Sequence, residues 1–266
     1  MIAALSEFTP KHRRLVAIDS DGCAIDSMEI KHRVCFGPAA VEQWGLNDIN
    51  DEFLARWNEI NLYSRTRGIN RFKGLAQIFE EFELDGWQEI KEWTQRAPSL
   101  SNDSLAAETS PTLKKVLEWS KKVNAAIEVL PMPAPFAGVK EALSLMPQQA
   151  DLFVVSSANF EAIKREWEAG EILPNVAMIL SQRDGSKSEI LSALLKKGYE
   201  RADVLMIGDA PGDMLAAVEN KVEFYPIMPG DEPRSWDILI NKAWDEFLSG
   251  ELSKEYQERF AEKLGL

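Results

Sequence analysis

Short apolar runs that end at a polar residue recur near the start of the chain and throughout its second half. Runs this short, when bounded by turn-forming residues, are typical of buried strands. They predict strands over residues 15–18, 152–155, 176–180, 204–207 and 222–227. Apolar positions at helical spacing predict helices over residues 160–169, 188–197, 213–220, 236–247 and 251–264. Because strands alternate with helices, we expect a parallel sheet with helices on both faces.

The stretch from residue 28 to residue 130 has a different pattern. Its apolar residues fall at helical spacing without strand-like alternation, and residues 98–104 are predicted to form a loop between helices. A proline-rich segment, residues 131–135, then forms a stiff linker. The sequence therefore predicts an α/β fold. Residues 1–27 and 131–266 form a discontinuous core with a Rossmann-like parallel sheet, and residues 28–130 form an inserted all-helical domain.

Charge and composition narrow the partners of the protein. The 266 residues carry a formal net charge of -13, so the surface repels nucleic-acid phosphates and anionic lipids. We therefore expect no nucleic-acid partner and no membrane partner. The two cysteines are too few for a disulfide framework. The opening residues do not read as a signal peptide and no apolar run is long enough to span a bilayer, so a cytoplasmic protein is expected.

Candidate chemistry lies in polar residues at the ends of the predicted strands. With only two histidines in the chain, a His-rich zinc site is disfavoured and carboxylates must carry any catalysis. Ligands of open α/β sheets bind at the carboxyl ends of the strands. The polar residues just past those ends are Asp19 and Asp21 after the first strand, Ser156, Ser157 and Asn159 after the second, Lys187 after the third, and Asp209 and Asp213 after the fourth.

These residue types suit phosphoryl transfer. A carboxylate can attack phosphorus and form an acyl phosphate, and a second carboxyl group can protonate the leaving oxygen and then activate water. Clustered carboxylates repel one another unless a cation lies among them, and oxygen ligands favour Mg²⁺. A lysine and a hydroxyl group can hold the remaining phosphoryl oxygens as negative charge develops.

In this order, the four segments resemble the motifs of the haloacid dehalogenase superfamily. Asp19-Ser20-Asp21-Gly22 resembles the first motif, Ser156 the second, Lys187 the third, and the segment Gly208–Asp213 the fourth. The resemblance covers residues 14–27 and 131–227. It is to members of the phosphoglycolate phosphatase and β-phosphoglucomutase type, in which a helical cap is inserted between the first two motifs. Such members usually hydrolyse or rearrange small phosphorylated metabolites with Mg²⁺.

The resemblance implies a role for each matching residue. It makes Asp19 the nucleophile and a Mg²⁺ ligand, and Asp21 the general acid and base, with its backbone carbonyl on the metal. Asp209 is implied as a further ligand, and Asp213 as a residue that fixes either the metal or Lys187. The residues implied or expected to bind the phosphoryl group are Gly22, Ser156, Ser157, Asn159 and Lys187.

Cations are concentrated in one segment of the predicted cap. Arg65, Arg67, Arg71 and Lys73 surround a turn at Gly68 in an otherwise acidic chain. One hypothesis is that some of them bind a second anionic group of the substrate. The alternative is a solvated helix end. Lys31 and His32, at the start of the cap, are further substrate-contact candidates, and surface exposure is the competing interpretation.

Several functions remain open at the level of sequence. Asp21 disfavours the dehalogenase and phosphonatase branches, which usually lack this second aspartate, but a phosphomutase keeps both. A phospho-receiver module uses similar residues in a far shorter domain without a large insertion. A non-catalytic protein that binds a phosphorylated ligand is a further alternative. The substrate, the oligomeric state and the role of the C-terminal helices stay undetermined.

Overall fold

The chain folds into two compact units. The computed structural model describes residue 2 and residues 5–266. One unit, the core unit, comprises Met1–Ser27 and Met132–Leu266, and the other, the helical unit, comprises Met28–Pro131. The second boundary therefore falls one residue later than the predicted division after residue 130.

The described residues of the helical unit form helices and turns without a strand. A tightly packed aromatic interior that includes Trp57, Trp93 and Trp119 holds these helices together. The predicted loop over residues 98–104 is partly wrong, because Ser101 caps a short helix there by accepting a hydrogen bond from the Ser104 N–H group. The helices are α1 (Met28–Ile30), α2 (Gly37–Trp44), α3 (Asn50–Asn58), α4 (Arg71–Glu81), α5 (Trp87–Arg96), α6 (Asn102–Ala106) and α7 (Pro111–Glu128).

The core unit is built on a parallel sheet of five strands in the order β3-β2-β1-β4-β5. The strands are mostly apolar because helices cover both faces of the sheet. Since all strands run in the same direction and β1 is central, their carboxyl ends form one edge with the end of β1 in the middle. The bounds are β1 (Arg14–Ile18), β2 (Ala150–Val155), β3 (Met178–Leu180), β4 (Val204–Gly208) and β5 (Glu223–Pro226).

Helices connect the strands of the core unit and continue beyond the last one. A helix that the sequence did not predict, α8, precedes β2; it is short and begins at a glycine with left-handed backbone, so it lacks a side-chain cap. The helix predicted over residues 236–247 begins at Glu232, and a π-helical segment, Leu239–Ala243, divides it. The helices are α8 (Val139–Leu145), α9 (Phe160–Ala169), α10 (Lys187–Leu195), α11 (Pro211–Asn220), α12 (Glu232–Ile238), α13 (Trp244–Ser249) and α14 (Glu255–Leu264). Within the described part of the chain, no helix has the length and apolarity needed to span a bilayer.

Candidate active site

Asp19 lies at the centre of the carboxyl edge, directly after β1. Its backbone N–H group donates to the Ile207 carbonyl of β4 at 2.9 Å, which extends the sheet pairing by one residue. Its side chain is buried, with Oδ1 accepting from the Ser20 N–H group at 2.8 Å and Oδ2 lying 2.8 Å from Lys187 Nζ. Pairing with the neighbouring strand and these two contacts fix the position of the carboxylate.

Lys187 is brought to Asp19 by the start of α10. Ser186 and Glu189 form a reciprocal capping box at this helix end, so the helix begins where Lys187 is its first residue. Lys187 Nζ lies between two carboxylates, 2.8 Å from Asp19 Oδ2 and 2.5 Å from Asp213 Oδ1. The ammonium group is thus held in the middle of the site by opposite charges on both sides.

Asp209 lies in the turn between β4 and α11, and Asp213 lies in the first turn of α11. Asp213 Oδ2 accepts the Ala210 N–H group at 3.1 Å, so one oxygen caps the helix while the other holds Lys187. Gly208 leaves the space for this arrangement, because a methyl group at that position would lie 2.2 Å from Asp213 Cγ. Asp213 therefore contacts Lys187, and its role in fixing either the metal or Lys187 stays a prediction.

The three aspartates form a cluster whose composition suits a hard divalent cation. One carboxylate oxygen of each of Asp19, Asp209 and Asp213 lies within 4.8 Å of those of the other two, and all three residues are buried. The donors are oxygen only, as Mg²⁺ prefers. Lys187 balances only one of the three carboxylate charges, so a bound divalent cation would neutralise the remainder. The donor set therefore fits Mg²⁺, and Asp19, Asp209 and Asp213 are the side chains that would hold it.

Burial is the largest single influence on the pKa values of Asp19, Asp213 and Lys187. It raises the pKa of Asp19 to about 6, while Lys187 acts in the opposite direction and Asp213 adds to the increase. Burial likewise raises the pKa of Asp213, against the effect of Lys187 and with a contribution from Asp209. For Lys187, burial lowers the pKa, but Asp19 and Asp213 outweigh it and hold the pKa above its ordinary value. The lysine is therefore cationic, and each extra carboxylate charge is costly without a metal.

Asp21 lies at the turn after Asp19, with its side chain outside the three-aspartate cluster. The buried Ser27 hydroxyl donates a hydrogen bond to Asp21 Oδ1. Gly22 has φ +77°, a left-handed conformation that glycine adopts without strain, and its N–H group donates to the Ile25 carbonyl at 2.9 Å. The turn thus gives the two carboxylates different surroundings.

The predicted phosphate-binding residues after β2 have unequal environments. Ser156 is buried, donates its N–H group to the Leu180 carbonyl at 3.0 Å, and accepts the Ala158 N–H group on Oγ at 3.2 Å. Ser157 is exposed. Asn159 caps α9, with Oδ1 accepting the N–H groups of Glu161 and Ala162. Phosphate binding by these three residues stays a prediction, and Asn159 already has a structural role.

Two of the cationic residues predicted to contact substrate are integrated into the helical unit. Arg67 is buried and its Nη1 donates to the Leu62 carbonyl at 2.7 Å. Arg71 Nη1 donates to Asn124 Oδ1 at 2.6 Å, and its guanidinium group lies 4.8 Å from the centre of the Phe36 ring. Within the same unit, Arg65 and Lys73 are exposed. Substrate binding by the four stays a prediction.

His32 belongs to the aromatic interior of the helical unit. Its Nδ1 accepts the Trp57 Nε1–H group at 3.2 Å, and its ring stacks on Phe36 with centroids 4.6 Å apart. An accepting Nδ1 is unprotonated, so a neutral imidazole carries its proton on Nε2. His32 is buried, so the interpretation of it as a surface residue is wrong. Lys31 is half-buried, and contact of either residue with substrate stays a prediction.

Three residues that contact the site were not identified from the sequence. Ser27 donates to Asp21, Trp167 Nε1–H donates to Ser20 Oγ at 2.9 Å, and Trp236 Nε1–H donates to the Cys23 carbonyl at 2.9 Å. The tryptophans lie 147 and 213 positions from their acceptors, so no local pattern indicates either contact. Ser27 lies only six residues after Asp21, so its contact with Asp21 could have been predicted from the turn between them.

Comparison with known proteins identifies a family to which the chain is similar. A sequence model of haloacid dehalogenase-like hydrolases matches residues 69–227, which is more than half of the chain. The match includes Ser156, Lys187, Asp209 and Asp213 but begins after Asp19 and Asp21. No curated protein sequence matches the chain significantly.

Solved structures support the same fold. A hydrolase from Pseudomonas syringae is 19% identical, with 88% of this chain and 98% of that chain covered and a TM-score of 0.52. A predicted phosphoglycolate phosphatase from Haemophilus somnus 129PT is 16% identical, with 85% and 96% covered and a TM-score of 0.52. A haloacid dehalogenase-like family hydrolase from Xanthomonas campestris is 15% identical, with 87% and 91% covered and a TM-score of 0.51. At these identities the similarity establishes the fold alone.

Proposed function

Because the chain belongs to the haloacid dehalogenase-like hydrolase family, we propose that it is a Mg²⁺-dependent phosphatase that hydrolyses a small phosphorylated metabolite through an aspartyl-phosphate intermediate. The observation that carries the proposal is the buried cluster of Asp19, Asp209 and Asp213, in which two of the carboxylates, Asp19 and Asp213, contact the Lys187 ammonium group. A cluster of this charge at the carboxyl edge of a parallel sheet is suited to a metal ion and a phosphate, the ligands that the proposed reaction requires.

Asp19 is the proposed nucleophile. Its carboxylate oxygen attacks phosphorus, an acyl phosphate bond forms, and the bond between phosphorus and the leaving oxygen breaks. The contacts from Ser20 N–H and Lys187 Nζ limit the rotation of the carboxylate, so little ordering remains to be done when the substrate binds. A carboxylate with a pKa raised by burial needs the metal or Lys187 to remain ionised at neutral pH.

Asp21 is the proposed acid and base. In the first half of the reaction its carboxyl group donates a proton to the leaving alkoxide, and the resulting carboxylate then takes a proton from the water that attacks the aspartyl phosphate. In this second step the water oxygen bonds to phosphorus, the bond between phosphorus and the Asp19 oxygen breaks, and inorganic phosphate is released. Asp19 is then again a carboxylate, and Asp21 is again a protonated carboxyl group. The hydrogen bond from Ser27 supports this assignment because it orients Asp21 independently of the three-aspartate cluster.

Lys187 and the metal share the stabilisation of charge. Lys187 donates to phosphoryl oxygens as negative charge develops, with Ser156 as a second donor at the end of β2. When bound, Mg²⁺ supplies a Lewis acid that neutralises a phosphoryl oxygen. The acidic partners of Lys187 keep it protonated, so it contributes a fixed positive charge over the whole neutral pH range.

The proposed substrate is a small phosphate monoester, in line with the similarity to the predicted phosphoglycolate phosphatase from Haemophilus somnus. The residues of the helical unit that we propose to determine substrate specificity are Lys31, His32, Arg65, Arg67 and Arg71. A carboxylate or second phosphate on the substrate would match their chemistry. A cytoplasmic location belongs to the same proposal.

The test is phosphate release from a panel of phosphorylated metabolites by the purified full-length protein, with Mg²⁺ or with EDTA. Wild type is expected to release phosphate only with Mg²⁺, and Asp19→Asn is expected to be inactive on every compound. Substrate isomerisation without phosphate release would instead identify a phosphomutase. Equal release by wild type and Asp19→Asn would contradict the proposed mechanism.

A further inference from the structure

The turn that carries both proposed catalytic aspartates is held mainly by hydrogen bonds to one residue, Ser20. This turn, residues 19–25, is called the nucleophile turn below. The Ser20 carbonyl accepts the N–H groups of Cys23, Ala24 and Ile25 at 3.3, 3.0 and 2.9 Å. The Ser20 N–H group donates to Asp19 Oδ1. Any movement of Ser20 therefore changes the orientation of the nucleophile.

Trp167, on α9, contacts the nucleophile turn from one side. Its Nε1–H group donates to Ser20 Oγ at 2.9 Å, and both residues are fully buried. The same helix begins directly after the predicted phosphate-binding segment, at the cap residue Asn159. Helix α9 therefore links the segment proposed to hold the phosphoryl group with the turn that attacks it.

Trp236, on α12, contacts the same turn three residues further along. Its Nε1–H group donates to the Cys23 carbonyl at 2.9 Å, and it is also fully buried. Trp236 comes after residue 227, where the family match ends. Its helix is anchored in turn by the Tyr225 hydroxyl group of β5, which donates to the Ser235 carbonyl at 2.7 Å. This chain of contacts connects the C-terminal segment to the nucleophile turn.

We infer that Trp167 and Trp236 are positioning residues that hold the nucleophile turn in its reactive conformation from two sides. The inference rests on the proposed function, since it assigns the turn a catalytic task. Through Trp236 it also gives the C-terminal helices a role in the active site. Neither indole touches the reacting atoms; each acts through a residue of the turn.

Packing alone does not account for both hydrogen bonds. Trp244 belongs to the same C-terminal segment and is equally buried, yet its Nε1–H group has no hydrogen-bond acceptor among the described residues. A buried indole is thus tolerated here without a partner. Gly138 adds a second sign of constraint, because a methyl group there would lie 2.8 Å from Trp236 Cβ. The position of Trp236 is therefore tightly restricted.

The test compares three substitutions that each shorten an indole to a benzene ring. Trp167→Phe and Trp236→Phe remove a hydrogen bond to the nucleophile turn, whereas the matched control Trp244→Phe removes similar volume and no hydrogen bond. With the best substrate of the panel, kcat is expected to fall roughly three- to tenfold in the first two. KM should stay within about twofold in all three variants, because ground-state binding is unaffected.

A second measurement does not depend on turnover. Amide hydrogen exchange of Cys23, Ala24 and Ile25 in the full-length protein is expected to accelerate in Trp167→Phe and Trp236→Phe but not in Trp244→Phe. Ser20→Ala removes the acceptor of Trp167, and combining it with Trp167→Phe should lower kcat no further than the single variants do. If Trp236→Phe does not fold, Tyr225→Phe, which loosens α12 without altering Trp236, takes its place.

The outcomes distinguish a failure of the proposed phosphatase function from a failure of the positioning role of the two tryptophans. Wild-type protein without phosphatase activity would remove the proposed function, while the exchange experiment would still test whether the tryptophans restrain the turn. Active wild type with unchanged kcat and unchanged exchange in both variants would overturn the positioning role. An equal loss of kcat in Trp244→Phe would also overturn it, because volume rather than hydrogen bonding would then be responsible.

Discussion

Replacing Asp19 with asparagine should stabilise the metal-free protein while abolishing its activity. In the folded state, burial and Asp213 make the charged form of Asp19 costly, and Lys187 offsets only part of that cost. The pKa rises from an ordinary value of 3.8 to about 6. This difference corresponds to about 3 kcal/mol at neutral pH, which sets an upper limit on what the neutral asparagine can recover.

The raised pKa of Asp19 determines how its contribution to the free energy of unfolding depends on pH. Because the folded-state pKa is the higher one, protonation of Asp19 contributes stability below about pH 4, and this contribution is lost as the pH rises through about 6. The advantage of Asp19→Asn should therefore be full at about pH 7.5 and small at about pH 4. For a core unit of this size, 3 kcal/mol corresponds to at most about 10 °C in Tm.

The assay is thermal unfolding in EDTA and in Mg²⁺ at both pH values. Mg²⁺ should raise the Tm of wild type more than that of the variant, because the variant lacks one ligand charge. Asp151→Asn is the matched control: this buried carboxylate accepts hydrogen bonds from the Lys11 and His12 N–H groups and the Tyr199 hydroxyl group, so its loss should destabilise. A Tm of Asp19→Asn at or below that of wild type in EDTA at about pH 7.5 would refute the reasoning.

Two further substitutions test the geometry of the site. Gly208→Ala should lower kcat on the order of a hundredfold, because the new methyl group displaces Asp213 and with it Lys187; unchanged kcat in steady-state assays would argue against this linkage. Asn159→Ala should cost about 1 kcal/mol in urea unfolding, since α9 loses its cap, while KM stays unchanged. A raised KM with normal stability would instead support the predicted phosphate-binding role.

The α/β fold with its parallel sheet could be predicted from the sequence, and so could the convergence of the candidate site residues at one edge of that sheet. Asp19, Lys187, Asp209 and Asp213 each follow an apolar run, and parallel strands necessarily bring such positions to one edge. One helix, α8, was missed altogether because it is short and has no side-chain cap. Helix starts depend on caps and turns more than on apolar periodicity.

Residue roles that depend on contacts with distant parts of the chain could not be predicted from the sequence. Cation density at residues 65–73 does not reveal that Arg67 is buried against the Leu62 carbonyl while Arg65 is exposed. Aromatic spacing predicts that a tryptophan is buried but not where its N–H group donates, as Trp236 illustrates. The capping role of Asn159 was recoverable, because an asparagine directly before a helical pattern is a recognised start signal.

The most direct test of the account is to trap the phosphorylated enzyme. Asp21→Asn should still form the aspartyl phosphate from an aryl phosphate, whose leaving group needs no acid, but should hydrolyse it slowly because the base is lost. Acid quenching followed by peptide mass spectrometry is expected to find the phosphoryl group on Asp19. Absence of phosphorylated Asp19 during turnover, or its presence on another residue, would contradict the assignment of Asp19 as the nucleophile.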